Sequence, residues 1–247
     1  GSPPWIGTLG TLFVGAAAGA LWIVSVGLLK NWRGVNETIS SLLMNYIAIA
    51  LFSHAISGPV RDYSQTLKAQ SWSIPSQFLI EAIPGWAVHW GLVIGVIVCV
   101  LLAIVVRQTT FGFAMNVLGG NVRAAQAAGL PIGRILILAC VIGGACAGLA
   151  GAIEVTAVHG AASESLIVGF GYTGILVAFL ARQNPIAIIP VAVLLGGISA
   201  SGGLMQRRFG LPDATTQVLQ GLIFLSVLAS NGITPSLSLF RRRKNGK

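Results

Sequence analysis

The side chains able to do acid–base or metal chemistry are few and scattered along this 247-residue sequence. No two histidines have the spacing of four residues that puts two metal ligands on one helix face, and Cys99, Cys140 and Cys146 lie inside apolar runs without a ligand pattern. The sequence therefore predicts no catalytic residue and no metal site. The acidic residues and histidines are Glu37, Asp62, Glu81, Glu154, Glu164, Asp213, His54, His89 and His159.

A second kind of candidate is a polar or aromatic side chain inside an apolar stretch. Ser41 and Asn45 lie four residues apart in NETISSLLMNYIAIA, on one helix face, and Glu154 lies near the end of a long apolar run. An acid within a bilayer costs about 3 kcal/mol at the centre and less near the interface, where it can snorkel outward. A buried Asn is either interhelical glue of about 1 kcal/mol or part of a polar pathway. Phe170 and Tyr172 either flank such a pathway or pack.

The amino-acid composition indicates whether these residues lie in a soluble protein or in a membrane protein. The chain is 55% hydrophobic and 9% charged, with a mean hydropathy of +0.84, whereas soluble domains carry roughly 25% charged residues. This excludes a soluble globular protein and predicts an all-α, polytopic membrane protein. The net charge of +9 then indicates membrane topology rather than nucleic-acid binding.

About 20 apolar residues are needed to span a bilayer, and on this basis we predict one transmembrane domain, 1–247, with about seven spans. The fifth is short and glycine-rich, and a half-helix plus a span is the alternative there. Asn36 is placed to cap the second span. The spans are Thr8–Leu29, Glu37–Ile56, Trp86–Val106, Ile135–Val158, Leu166–Leu180, Ile186–Leu204 and Ala214–Ser230.

The basic residues predict the orientation of these spans. If the basic tail 231–247 is cytoplasmic, eleven of the 15 Lys and Arg residues lie on the cytoplasmic side, as the positive-inside rule favours. The segment 107–134 is then cytoplasmic, and the long loop 57–85 is external and serves either as an interfacial loop or as a docking or lid surface. The four basic residues left outside are Arg61, Lys68, Arg207 and Arg208.

Glycines four residues apart predict close helix packing. Gly144 and Gly148 have this spacing, and it recurs in the pairs Gly15/Gly19 and Gly91/Gly95. Small residues on one helix row allow two backbones to approach closely in a membrane. A thin wall beside a moving pathway is the alternative.

Four stretches together resemble the permease subunits of bacterial ABC importers that serve branched-chain amino acids, simple sugars and nucleosides. They are NETISSLLMNYIA (36–48), LGGNVRAAQAAGLPIGR (118–134), GFGYTGILVAFLARQNP (169–185) and LPDATTQVLQGLIFL (211–225). The nucleoside branch, associated with basic membrane proteins, is the most similar. The resemblance implies the all-helical fold of vitamin B12 and siderophore importers, and it implies further spans before residue 1.

The resemblance also implies that 107–134 is a cytoplasmic coupling segment that docks on an ATPase subunit. Its alanines favour a helix with a low surface, Gly129 suits a left-handed cap, Pro131 can start the next helix, and Arg123 is available to acidic groups. The residues implied in coupling are Gly119, Asn121, Arg123, Ala124, Ala125, Ala128, Gly129, Leu130 and Pro131.

The function implied is that of a permease without enzymatic activity, which moves nucleosides across the inner membrane by alternating access. Its partners would be ABC ATPases that use ATP and Mg, a second permease subunit of the same or a related kind, an extracytoplasmic binding protein and membrane lipid. The sequence has no GxxxxGK[ST] loop for ATP, and no cofactor is expected on this chain. Simple sugars, branched-chain amino acids and riboflavin-like vitamins are alternative substrates. An ion-coupled secondary transporter and a membrane scaffold are alternative functions.

Overall fold

The computed structural model describes residues 4–64, 69–85, 88–167, 169–210, 214–227 and 229. These residues are mainly helical and contain isolated β-bridges but no extended strand. Lys68, Trp86, Asp213 and the predicted tail 231–247 lie outside them. The α-helices are α1 Pro4–Arg33, α2 Glu37–Ser57, α3 Trp90–Gln108, α4 Thr110–Gly120, α5 Val122–Ala127, α6 Ile132–Glu154, α7 Phe170–Leu180, α8 Pro185–Phe209 and α9 Ala214–Val227.

Five of these helices are long and apolar enough to cross a bilayer, namely α1, α2, α3, α6 and α8. The all-α prediction is confirmed. The fifth predicted span, Leu166–Leu180, is not one continuous α-helix, and its short α-helical part agrees with the half-helix given as the alternative. Only 170–180 is α-helical there, and eleven residues at about 1.5 Å each cover roughly half of a 30 Å hydrocarbon core. The seventh, predicted as Ala214–Ser230, is described as a helix over Ala214–Val227.

The chain divides into two compact units, Gly1–Val168 and Gly169–Lys247, where the sequence predicts one domain. In the first unit, α1 and α6 form the closest helix pair. A Cβ atom built on Gly19 would lie 2.8 Å from the Gly148 Cα, and one built on Gly15 would lie 3.0 Å from the Gly148 carbonyl oxygen. These approaches leave no room for side chains, so the close packing predicted for Gly15/Gly19 and Gly144/Gly148 is confirmed.

The third glycine pair follows the prediction only in part. A Cβ on Gly91, near the start of α3, would clash with the Ile153 side chain on α6. Gly95 has open space around it, with no atom within 4 Å of a built Cβ. Close packing therefore holds for Gly91 and is wrong for Gly95.

The contacts between α1 and α6 show that the two helices are antiparallel. Gly15 meets Gly148, Gly19 meets Gly144, Gly27 meets Cys140, and the Asn31 side chain meets Gly133. The end of α1 therefore lies beside the start of α6. We name this the α5 end of the first unit, because α5 directly precedes α6 there, and we name the opposite end the loop end.

At the loop end, the 57–85 loop is fastened to the end of α6. Residues Val155–His159 continue α6 as one π-helical turn, which Gly160 closes with φ +66°. The Ile80 amide donates to the Thr156 carbonyl oxygen over 3.1 Å, and the Ile74 amide donates to the Gly160 carbonyl oxygen over 2.8 Å. Both hydrogen bonds join backbone atoms of residues that are far apart in the sequence. The attachment of the loop therefore does not depend on a particular residue type or motif.

The second unit contains α7, α8 and α9. Its core is formed by Leu176, Val177 and Leu195, and Phe179 packs edge-on against Phe224 with ring centroids 6.1 Å apart. The turn between α7 and α8 holds Arg182 and Gln183 at φ +50° and +57°. These two left-handed residues bear side chains, so the turn stores backbone strain.

Candidate functional site

The predicted coupling segment folds into helices joined by tight turns. Asn121 separates α4 from α5 and caps the start of α5, with its Oδ1 accepting from the Arg123 amide over 2.9 Å and from the Ala124 amide over 3.2 Å. An Asn at this position satisfies amides that have no partner within the helix. The six-residue α5, Val122–Ala127, is too short to be stable alone, so this cap helps to define where it begins.

Gly129 ends α5 in a left-handed turn with φ +70°. The Leu130 amide donates to the Ala125 carbonyl oxygen over 3.1 Å, and the Gly129 amide donates to the Gln126 carbonyl oxygen over 3.0 Å. This pair of bonds is a Schellman motif, in which glycine is favoured because it has no Cβ. Pro131 then precedes the first residue of α6. The predicted left-handed cap at Gly129 and the helix start after Pro131 are confirmed.

The surface of α5 is small and mostly exposed. Ala125 is completely buried, whereas Arg123, Ala124 and Ala128 are exposed, as are Gly119 and Asn121 before them. A Cβ on Gly119 would meet no atom within 4 Å. The segment thus presents a low, alanine-rich surface with one cation, anchored to the rest of the chain through Ala125.

Most charged residues described at the α5 end are cations. Arg33, Arg123 and Arg134 are exposed, and Lys30 Nζ lies 2.5 Å from Glu37 Oε1. Both side chains of that pair are partly exposed, so the pair itself adds little stability. The excess of positive charge gives this end an attraction for acidic surfaces.

The two polar candidates on α2 lie on an open surface of the helix. Ser41 and Asn45 are both exposed, and the Ser41 hydroxyl donates back to the Thr38 carbonyl oxygen over 3.0 Å. The cap expected at Asn36 is confirmed, since its Oδ1 accepts from the Thr38 amide over 2.9 Å. An exposed carboxamide eight residues into an apolar helix requires water or a polar partner in a membrane.

Glu154 is the last residue of α6, at the π turn. Its Oε1 lies 3.6 Å from the His159 Nδ1, and its side chain is 30% exposed. A π turn often marks a functional position in a helix. Here it also reshapes the backbone that receives the 57–85 loop.

The remaining pathway candidates lie in the second unit. Gly169, with φ +79°, starts α7, so the irregular glycine-rich start expected from the sequence is confirmed. Phe170 and Tyr172 follow and are exposed, Tyr172 to 72%. The structure therefore places Ser41, Asn45 and Glu154 in one unit and Phe170 and Tyr172 in the other.

Sequence reasoning missed a polar contact between α8 and α9. The Gln220 Nε2 donates to the Ser199 hydroxyl over 2.6 Å, and Thr216, one turn before Gln220, is buried. The signal was present, because these polar residues interrupt two apolar helices. It also missed Thr156, which is buried and donates to the Ala152 carbonyl oxygen over 2.7 Å.

One half-open cavity lies at the loop end of the first unit and is lined mostly by polar side chains. Its volume is about 500 Å³, and its lining includes Gln70, His159, Ser163 and Glu164. Among the residues that the structure describes, no three His, Cys, Asp or Glu side chains are grouped so that they could hold a metal ion.

Several relatives of the chain are named as ABC transporter permeases. A guanosine ABC transporter permease of Bacillus subtilis is 32% identical over 225 residues, 90% of this chain and 65% of that protein. A glucose ABC transporter permease of Haloferax volcanii is 29% identical and is covered to 63%, with 93% of this chain. A nucleoside ABC transporter permease of Lactococcus lactis is 26% identical and is covered to 62%, with 87% of this chain.

The chain thus spans a little under two thirds of the length of these curated relatives. No solved structure matches it. Residues 4–228 match the family described as the branched-chain amino acid transport system / permease component. The matched region includes α1 to α9 and the capped α5 segment, and the chain belongs to this family of permease components.

Proposed function

We propose that this chain is the membrane-spanning subunit of an ATP-driven importer that moves nucleosides across the bacterial inner membrane. The observation that carries the proposal is α5, a short helix fixed by Asn121 at one end and by Gly129 at the other. It leads directly into α6, and it lies at the end of the first unit where cations are concentrated. When a bound partner displaces such a helix, the movement is transmitted to the membrane-spanning helix that follows it.

In this proposal, Arg123, Ala124 and Ala128 contact an ABC ATPase subunit. Asn121, Gly129 and Pro131 keep α5 in its shape, and Ala125 anchors it inside the chain because its side chain is completely buried. ATP and Mg are bound by the ATPase, and closure of two ATPases moves α5. Gly119 and Leu130 complete the segment at its two ends.

The α5 end faces the cytoplasm in this proposal. It carries Arg33, Arg123 and Arg134 exposed, and cytoplasmic ends of membrane proteins are enriched in Lys and Arg. The loop end, with the 57–85 loop and the cavity beside Glu164, then faces an extracytoplasmic binding protein. A second permease subunit, identical or related, completes the assembly.

The proposed pathway uses Ser41 and Asn45 on α2, Phe170 and Tyr172 on α7, and Glu154. The exposed Asn45 carboxamide supports this, because a permeating polar solute or a water-filled path supplies the partner that lipid does not. Nucleosides are the favoured substrates because two of the three relatives above are named for guanosine or nucleoside transport. A sugar is the second candidate, because the third relative is named for glucose.

The test is uptake into proteoliposomes that contain the chain, its ATPase, any second permease subunit and the binding protein. We expect labelled guanosine, added outside with the binding protein, to accumulate when ATP and Mg are enclosed in the lumen on the ATPase side, and excess unlabelled inosine, but not glucose, to compete. Competition by glucose alone would move the assignment to a sugar. Accumulation driven by an ion gradient without the ATPase would contradict ATP-driven import.

A further inference from the structure

The α1–α2 turn is residues 32–36, the last two residues of α1 and the three residues before α2, at the α5 end. Gly34 has φ +66°, and its amide donates to the Lys30 carbonyl oxygen over 3.0 Å. Asn36 caps α2, and Lys30 pairs with Glu37 across the turn. Held in this way, the turn exposes Trp32 to 74% and also exposes Arg33.

The register between α1 and α6 gives the position of this turn along the helix axis. Gly27 lies against Cys140, and Asn31 lies against Gly133. α1 ends at Arg33, two residues after Asn31, and α6 begins at Ile132, one residue before Gly133. The α1–α2 turn and the Schellman turn that ends α5 therefore lie at the same end of this helix pair, at about the same height.

The two elements also share their surface chemistry. Each exposes a cation, Arg33 or Arg123, and each exposes an apolar side chain, Trp32 or Val122. The acidic residue of the turn, Glu37, is paired with Lys30, so it does not cancel the charge of Arg33. A partner with acidic groups around an apolar depression fits both elements together, and exposed Trp and Arg are the side chains that most often dominate binding energy at protein interfaces.

We propose that the α1–α2 turn is a second docking element for the same ATPase subunit that α5 engages. This rests on the proposed function and extends it from one contact helix to a two-part surface. A subunit that seats α5 meets the turn at the same height, where Trp32 enters its apolar depression and Arg33 faces its acidic rim. Asn31, packed against Gly133, keeps the two parts in a fixed relation.

Photo-crosslinking of the full chain with its ATPase in lipid nanodiscs tests the inference. A photoreactive phenylalanine replaces Trp32 in one sample, Val122 in a second, and Phe13 as a control in the middle of α1, where the side chain is 75% exposed. We expect ATPase adducts from positions 32 and 122 and lipid adducts alone from position 13. Lipid adducts alone from position 32, with ATPase adducts from position 122, would overturn the second docking element and leave the proposed function standing.

The reverse result separates the two proposals in the other direction. ATPase adducts from position 32 without any from position 122 would support the turn and contradict the coupling role of α5. Lipid adducts alone from both positions would overturn both. As a second measurement, the dissociation constant of the ATPase for the permease can be compared between variants. Trp32→Ala combined with Arg33→Glu should raise it about fivefold or more, while Trp5→Ala, at the other end of α1, should leave it unchanged.

Discussion

Gly19 and Gly148 bring α1 and α6 into backbone contact, with a built Gly19 Cβ only 2.8 Å from the Gly148 Cα. We expect Gly148→Ala to destabilise the first unit by about 1–3 kcal/mol, because the added methyl group would overlap the Gly15 carbonyl group. The apparent melting temperature in detergent should fall clearly. Gly143→Ala on the same helix is the matched control, since a Cβ there meets no atom within 4 Å. Equal tolerance of the two changes would contradict the packing described.

The cap at Asn121 should matter for coupling more than for assembly. Asn121→Ala removes the acceptor for two amides, which costs a helix about 1 kcal/mol, so α5 should fray and uptake per ATP hydrolysed should fall. Asn184→Ala removes a similar cap at the start of α8, where Asn184 Oδ1 accepts from the Ile186 amide, and is the control. We expect ATP hydrolysis to continue in both variants, with coupling lost only in the first. Coupling lost equally in both would argue against a special role for α5.

The strained turn at Gln183 offers a stabilising change. At φ +57° a glycine avoids the contact that a Cβ makes with the backbone. Gln183→Gly should therefore raise the free energy of unfolding by about 1 kcal/mol, and the apparent melting temperature should rise with it. Asn184→Ala, at the next position, should lower it, because Asn184 Oδ1 accepts from the Ile186 amide over 3.2 Å at the start of α8. A fall for both variants would show that the left-handed turn is not strained.

The attachment of the 57–85 loop can be measured one bond at a time. The Ala162 amide donates to the Ser71 Oγ over 2.9 Å, so Ser71→Ala should speed hydrogen exchange at Ala162 by about fivefold, as expected for one lost hydrogen bond. Ser73→Ala, on an exposed serine two residues away, is the control. Unchanged exchange at Ala162 would mean that the backbone bonds alone hold the loop.

Asn45 separates a pathway role from a packing role. If Asn45 lines the pathway, Asn45→Leu should reduce guanosine uptake at least tenfold while the melting temperature of the complex stays unchanged. The reason is that the passing solute loses a polar interaction worth more than about 1.4 kcal/mol. Asn45→Ser should restore part of the uptake. A fall in melting temperature with normal uptake would identify Asn45 as interhelical glue.

Local signals in the sequence predicted the parts of the fold that depend on local chemistry. The Asn36 cap, the left-handed Gly129 and the glycine rows of α1 and α6 follow from residue type and spacing. The short α7 was predicted only as the half-helix alternative, from its glycines, because hydropathy alone does not distinguish the 3₁₀ turn Glu164–Leu166 from a helix start. The fastening of the 57–85 loop to α6 was also not predictable, because backbone atoms make most of those bonds and leave no residue pattern.

The candidate site likewise has features that the sequence predicts and features that it does not. The shape of α5 was readable because caps and turns have their own residue preferences, whereas the burial of Ala125 among exposed alanines depends on what packs behind the helix. Ser199 and Gln220 were overlooked because each is a single polar residue in an apolar run. Their contact appears only when α8 and α9 are placed side by side.

The glycine rows of α1 and α6 also limit how the first unit can move. Sliding α1 along α6 by one turn would place Thr11 against Gly148, or Ile23 against Gly144, where the backbones leave no room for a side chain. The two helices therefore do not slide along each other. They hold α5 and the α1–α2 turn at one end and the 57–85 loop at the other, at a constant distance. In the proposed function, a displacement at α5 would tilt α1 and α6 together, and about a pivot midway along the pair the loop end would move in the opposite direction.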